Sequence, residues 1–404
     1  MTESNSSFWA ASRLAAVRPS FIREILKVTE DPSVISFAGG LPNPDLFPLE
    51  ALGEATAKVL KDEGTQALQY STTEGYLPLR EWIAARYAGR GVEVSPDQIL
   101  ITTGSQQGLD LIGKCFVDGG EPVLLERPGY LGAIQAFALM EPRFCTVPLA
   151  KDGPELEPLR QVLAEDEPTV FYAVPNFQNP SGVCWSGAKR AAAVEMLEKS
   201  KTLFVEDDPY GELRFAGVSH PPVSSGLEPN RRILLGSFSK VASPGLRVGW
   251  LVAGPQLRRH LVTAKQAADL HTSTFNQRIL ARYLADNDLD AHIATIRDAY
   301  GRHAAVMIRT MEEHFPDEVD FTKPEGGMFL WVTLPEGCSA MALFEKAIEA
   351  KVAFVPGAPF YVDGSGDNTL RVNFSNANEM MIEEGIRRLA DCLKSYLAIC
   401  RPQP

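Results

Sequence analysis

The segment Gly236-Ser-Phe-Ser-Lys240, followed by Pro244-Gly-Leu-Arg-Val-Gly249, sets a lysine just after two serines and seven residues before an arginine. Most lysines are solvated surface groups. This one follows Ile233–Leu235, an apolar run that reads as a buried strand. An ammonium group near another cation and away from water has its pKa lowered, and the free amine is a nucleophile toward an aldehyde. Arg247 and the hydroxyls of Ser237 and Ser239 could hold a phosphate beside it. Two other apolar runs also end in polar residues. Ile99–Thr102 leads into Thr103-Gly-Ser-Gln-Gln-Gly108, where free backbone N–H groups and small side chains could dock an anion. That turn has no Walker lysine and no G-x-G-x-x-G spacing, so by itself it is equally an ordinary strand-to-helix turn. Leu203–Val205 leads into Glu206-Asp-Asp-Pro-Tyr210, where a carboxylate could pair with a protonated ring nitrogen, cap a helix, or lie in a solvated acidic turn.

These segments need a frame that brings several strand ends to one edge. From about Ile99 to Gly254 the chain repeats an apolar run, a turn rich in Gly, Pro or Asn, and a helix-like stretch, which predicts a parallel α/β sheet. The expected strands are Ile99–Thr102, Pro122–Leu125, Val170–Val174, Leu203–Val205, Ile233–Leu235 and Gly249–Val252. Each is nearly all apolar, as strands covered on both faces are. In such a sheet ligands bind beyond the carboxyl ends of the strands, where the polar segments lie. After Ala264 the pattern turns helical, with Asn276–Ala285 and Asp288–Phe315. A second α+β unit is then expected, with strands near Met328–Thr333, Ala353–Val355 and Thr369–Phe374 and a closing helix over Glu379–Ile399. The expected organisation is an N-terminal arm over 1–45, a large domain over 46–287 and a smaller C-terminal domain over 288–404.

Composition excludes several classes of function. A formal charge of -12 opposes a nucleic-acid or anionic-membrane partner, so any anionic ligand needs a local basic pocket. The six cysteines are scattered without a CxxC pair, which fits neither a zinc site nor a disulfide framework, and no metal is expected. Met1–Ser20 lacks the character of a signal peptide, and no segment reaches 18 uninterrupted apolar residues. A cytoplasmic, soluble protein is the expectation.

A lysine, a phosphate cradle and a ring-facing carboxylate are together what pyridoxal-phosphate (PLP) catalysis requires. The chain resembles the fold-type I PLP-dependent aminotransferases of class I/II over nearly its whole length. The resemblance rests on Tyr70-Ser-Thr-Thr-Glu-Gly-Tyr76, Thr103-Gly-Ser-Gln-Gln-Gly108, Pro175-Asn-Phe-Gln-Asn-Pro-Ser-Gly182, Glu206-Asp-Asp-Pro-Tyr210, Gly236-Ser-Phe-Ser-Lys240 and Leu370-Arg-Val-Asn-Phe-Ser375, in the family's order and spacing. It implies that Lys240 carries the cofactor as a Schiff base and acts as the proton-transfer base. It implies that Asp207 pairs with the pyridinium nitrogen, that Asn179 and Tyr210 bond the phenolic oxygen, and that Tyr130 stacks on the ring. Ser105, Gln106, Ser237, Ser239 and Arg247 are then phosphate ligands, with Tyr70 reaching in from the other subunit of a homodimer. Arg371 is the expected clamp for a substrate α-carboxylate, with Gly39 and Gly40 lining the same pocket.

Within the family, Pro19-Ser-Phe-Ile-Arg23-Glu-Ile-Leu, Phe37-Ala-Gly-Gly-Leu-Pro-Asn-Pro44 and Ala268-Asp-Leu-His-Thr272 look most like the 2-aminoadipate aminotransferases of lysine biosynthesis. Related members accept glutamate with 2-oxoglutarate, leucine and other branched-chain, and aromatic amino acids. The resemblance implies a mobile N-terminal helix packed with the small domain, on which Arg23 reads a distal carboxylate and Ser20 shares its face; the same residues also suit a plain amphipathic helix. Leu270-His-Thr-Ser-Thr-Phe275 lacks the arginine that aspartate aminotransferases place there. Competing readings are another reaction on the same cofactor, such as a C–S β-lyase or a decarboxylase, and an effector-sensing transcription regulator with an aminotransferase-like domain. The acidic charge and the absence of a helix-turn-helix pattern oppose the regulator.

Overall fold

The computed structural model describes residues 11–14 and 31–400. Its centre is an eight-stranded sheet in the order Ile99–Thr102, Gly249–Ala253, Arg232–Ser237, Leu203–Asp207, Val170–Ala173, Pro122–Arg127, Arg143–Ala150 and Gly153–Pro154. Every residue of Ile99–Thr102, Val170–Ala173 and Leu203–Asp207 is buried, as strands covered by helices on both faces are, and in the last of these the burial extends to the carboxylates of Glu206 and Asp207. The sheet is mostly parallel, but Gly249–Ala253 runs antiparallel to both neighbours. The reason is the connection over 238–248, which contains only a single turn of 3-10 helix and is too short for a crossover. The chain turns back at the carboxyl edge instead, so Arg247, just before this strand, shares that edge with Thr103, Asp207 and Lys240.

Arg143–Ala150 was not among the expected strands. Its burial alternates in the manner of a half-covered strand, and Pro148 interrupts it, so it lacks the continuous apolar run of the interior strands. Helix Ser105–Phe116 turns Leu109, Leu111 and Ile112 inward, and its first residue follows Gly104 at φ +72°. A Cβ at Gly104 would come within 2.5 Å of the Arg247 guanidinium. At Gly249 a Cβ would stand 2.8 Å from the backbone of Gly104 and Ser105. The bare Gly249 backbone therefore lets the antiparallel strand close against the start of the helix.

Asp288 caps the long helix Leu289–His314 by accepting from the amides of Asp290 and Ala291. The second sheet is antiparallel, in the order Asp320–Phe321, Phe329–Thr333, Thr369–Asn373 and Val355–Pro356, and helix Glu379–Cys400 packs along Leu289–His314. The expected strand at Ala353–Val355 is split. Val352–Ala353 pairs in parallel with Ile35–Ser36 of the N-terminal segment, while Val355–Pro356 pairs with Thr369–Asn373. The bonds Phe37 N to Ala353 O and Asn373 N to Phe37 O then carry the segment onward to Gly40.

Gly249→Ala should cost about 1–3 kcal/mol, because the atoms it meets are backbone and cannot rotate away. A lowered thermal unfolding midpoint is expected; an unchanged midpoint would contradict the close packing at this turn.

Candidate active site

One cavity of about 520 Å³ opens at the carboxyl edge of the large sheet. Ser105, Gln106, Tyr130, Asn179, Asp207, Tyr210, Ser237, Ser239, Lys240, Arg247, Arg371 and Gly40 all line it. Of the two expected glycines only Gly40 faces it; Gly39 is buried and does not line the wall. Tyr70 lies elsewhere, 79% exposed, its ring edge-on to His271 at 5.9 Å. Ser20 and Arg23 lie outside the described residues.

Lys240 Nζ donates to the carbonyl of Gly40 at 2.9 Å. Burial, followed by the positive charges of Arg371 and Arg247, lowers its pKa to about 8. Asp207 ends its strand with the opposite problem, since burial raises its carboxyl to about 7. Its Oδ2 accepts from the Tyr172 hydroxyl at 2.8 Å, while its buried Oδ1 has no partner among the described residues. Burial also pushes the Tyr130 phenol up to about 12 and raises that of Tyr210.

Arg371, 2% exposed, donates from Nη1 to Asn179 Oδ1 and from Nη2 to Ala38 O, both at 2.8 Å. Its guanidinium lies 4.4 Å from the Phe329 ring centroid and 5.3 Å from that of Phe360. Burial lowers its pKa to about 10, and among the described residues only the Tyr210 and Tyr130 phenols oppose that shift, with no carboxylate contributing. Nε is buried without a partner. A rigid, unneutralised fork of this kind is a receptor for a carboxylate. Asn179 also donates from Nδ2 to the Tyr210 hydroxyl at 3.3 Å. Its loop is held from beneath by the buried Glu126, which accepts from Val174 N and from Trp185 Nε1, both at 2.9 Å.

The second cationic end of the cavity is Arg247, whose side chain reaches only the backbone carbonyls of Pro244 and Thr103 among the described residues. Near it the Ser237 hydroxyl donates to Ser239 Oγ at 2.8 Å and accepts from Ser239 N at 3.0 Å. Gln106 donates to Gly132 O at 2.9 Å, and Ser105 opens its helix, offering unpaired amides.

These donors fit PLP. The bare buried Oδ1 of Asp207 suits a ring N–H, the Lys240 amine suits the aldehyde, and Arg247 with the serines suits the phosphate. Arg371 is left for a substrate carboxylate. Among the described residues no cluster of side chains could hold a metal ion, and no helix is long and apolar enough to cross a membrane. Tyr172, Leu41, Leu131, Gln135 and Phe360 also line the cavity without having been singled out in the sequence. Tyr172 sits inside a strand run where an aromatic residue reads as core, and only its register beside Leu203–Asp207 distinguishes it.

A family model described as aminotransferase class I and II matches residues 34–389. A 2-aminoadipate transaminase of Thermus thermophilus is 46% identical over 389 residues, covering 95% of this chain and 96% of the relative. Aromatic-amino-acid aminotransferase 1 of Thermococcus litoralis is 43% identical over 396 residues, covering 96% and 94%. The crystal structure of α-aminoadipate aminotransferase from Thermus thermophilus, complexed with N-(5'-phosphopyridoxyl)-L-leucine, matches with a TM-score of 0.89 at 44% identity, covering 96% of this chain and 98% of that one.

In cofactor-free protein, trace acylation of Lys240 followed by peptide mass spectrometry should rise with pH to half its maximum near pH 8, since only the unprotonated amine reacts. A midpoint at the ordinary lysine value of about 10.4 would show that burial and the two arginines do not act on it.

Proposed function

The chain belongs to the class I and II aminotransferases and is a PLP-dependent enzyme, and from that premise we propose that this cavity moves amino groups between 2-oxoglutarate/glutamate and 2-aminoadipate, branched-chain or aromatic amino acids. When bound, PLP supplies an electron sink for the negative charge left at a substrate α-carbon. Everything else falls to the protein. Lys240 Nζ would take the α-proton of the substrate and return it on the cofactor side, a task for an amine that burial and two nearby arginines hold below the ordinary lysine range. Asp207 Oδ1 accepts the ring N–H. Tyr210 and Asn179 bond the phenolic oxygen, and Tyr130 covers the ring face. Ser105, Gln106, Ser237, Ser239 and Arg247 hold the phosphate. Arg371 clamps the α-carboxylate with its free N–H groups, fixed by Asn179 and Ala38 before the substrate arrives.

The observation that carries this reading is the pairing in one cavity of a lysine and a half-satisfied buried carboxylate with two arginines that no carboxylate neutralises among the described residues. The names of the relatives support a substrate range from acidic to apolar side chains. Arg23 is the proposed reader of the distal carboxylate and Ser20 a proposed second substrate contact, both outside the described residues. The exposure of Tyr70, away from its own cavity, supports its entering the partner's phosphate site in a homodimer. Residues 46–287 and 288–404 are the proposed large and small domains, with the arm over 1–45 bridging to the latter. Six free thiols support a reducing, cytoplasmic setting.

A single half-reaction with glutamate should convert the cofactor to its amine form and release one 2-oxoglutarate per site. Failure to do so, with release of ammonia or carbon dioxide instead, would favour a lyase or decarboxylase. On Arg23→Gln, glutamate and 2-aminoadipate should lose about 2–4 kcal/mol of transition-state stabilisation in kcat/KM while leucine changes little. Equal losses for every donor would refute the assignment of Arg23.

A further inference from the structure

Tyr172 lies within the strand Val170–Ala173 with 1% of its surface exposed. It is in parallel register with Val205 of Leu203–Asp207. Residues two apart on a strand share a face, so Tyr172 and Asp207 project to the same side of the sheet. There the Tyr172 hydroxyl donates to Asp207 Oδ2 at 2.8 Å. Its ring is fixed edge-on against Phe137 of helix Leu131–Ala138, with centroids 6.2 Å apart. The arrangement leaves Oδ1 buried and bare.

Burial holds this carboxyl at about 7 even with the Tyr172 bond, so without that donor it would keep its proton to higher pH still, and one with both oxygens occupied by the protein would have nothing left to offer a ligand. The other groups acting on this carboxylate are Asp208, whose charge opposes ionisation, and the phenols of Tyr130 and Tyr210. Among the described residues Tyr172 alone donates a hydrogen bond to it.

We propose that Tyr172 is a positioning residue for the reaction: its hydrogen bond to Oδ2 stabilises the Asp207 carboxylate and reserves Oδ1 for the ring nitrogen of the cofactor. The inference rests on the reading of Asp207 as the partner of that nitrogen. A donor to the carboxylate lowers its proton affinity, so the proton shared across the contact stays on the ring. Without the donor it moves toward the carboxylate.

The test is nitrogen-15 NMR of the holoenzyme reconstituted with PLP labelled at the ring nitrogen, followed through pH, beside the glutamate half-reaction. In Tyr172→Phe the ring should lose its pyridinium signal at a pH lower by about one unit or more. The half-reaction should slow roughly tenfold or more, with little change in the glutamate concentration needed for half-saturation. A purely structural tyrosine would lower the unfolding midpoint without moving the nitrogen signal. Incorporation of 3-fluorotyrosine at 172, a stronger donor of nearly the same volume, should move the midpoint to higher pH and gives an answer even if Tyr172→Phe folds poorly. Asp207→Asn separates the two layers of the argument. If it leaves the ring signal unchanged, Asp207 is not the ring's partner. If it shifts the signal while both changes at 172 do not, the role of Tyr172 is overturned and that of Asp207 stands.

Discussion

The interaction on which the site depends is the burial of the Arg371 guanidinium with no counter-ion among the described residues. A charge removed from water and left unpaired is costly, and it is kept here only because neutral groups saturate part of it: Asn179 Oδ1, Ala38 O and the faces of Phe329 and Phe360. Each comes from a different stretch of chain. Asn179 belongs to the loop after an interior strand of the large sheet, Ala38 to the N-terminal segment, Phe329 to the small sheet, and Phe360 to the turn following Val355–Pro356. Fixing one guanidinium therefore fixes these segments relative to one another, and with them Gly40, whose carbonyl receives Lys240.

The opposite wall of the cavity solves a related problem with a different geometry. The short return over 238–248, forced by a connection too short to cross over, brings Arg247 back to the edge that Lys240 has just left. Gly104 and Gly249 let the phosphate end close to van der Waals distance. Two cations thus flank one amine. This is why the Lys240 pKa responds to both, after burial itself.

Much of this was legible in the sequence wherever a polar residue interrupts an apolar run at a strand end. Lys240, Asp207, Ser105 and Asn179 sit at such breaks, and the sheet edge gathers them as strand polarity requires. What escaped was any feature whose role depends on a neighbour in space. Tyr172 is indistinguishable from core until Leu203–Asp207 is laid beside it. The reversal of Gly249–Ala253 follows from the length of a connection rather than from composition, and the division of 352–356 between two pairings reflects which partner strand each half meets. Arg143–Ala150 hides because a half-covered strand need not be uniformly apolar. Tyr70 is a separate case, since its exposure away from the cavity fits the proposed homodimer, in which it would serve the partner's site.

The arrangement of charges also bears on timing. With the cavity unliganded, Arg371 and Arg247 depress the Lys240 amine, which favours the unprotonated, nucleophilic form needed to capture an aldehyde. An anion docked on either arginine cancels part of that field and raises the proton affinity of the amine, because removing a like charge favours the charged form. Under the proposed function the two anions of a loaded site, a phosphate on Arg247 and an α-carboxylate on Arg371, would act in the same direction. On that reading the proton affinity of the amine is highest once both are in place, at the stage when the proposed role asks it to take a proton rather than attack a carbon. One buried amine between two cations that no carboxylate pairs with among the described residues would thereby change character with occupancy.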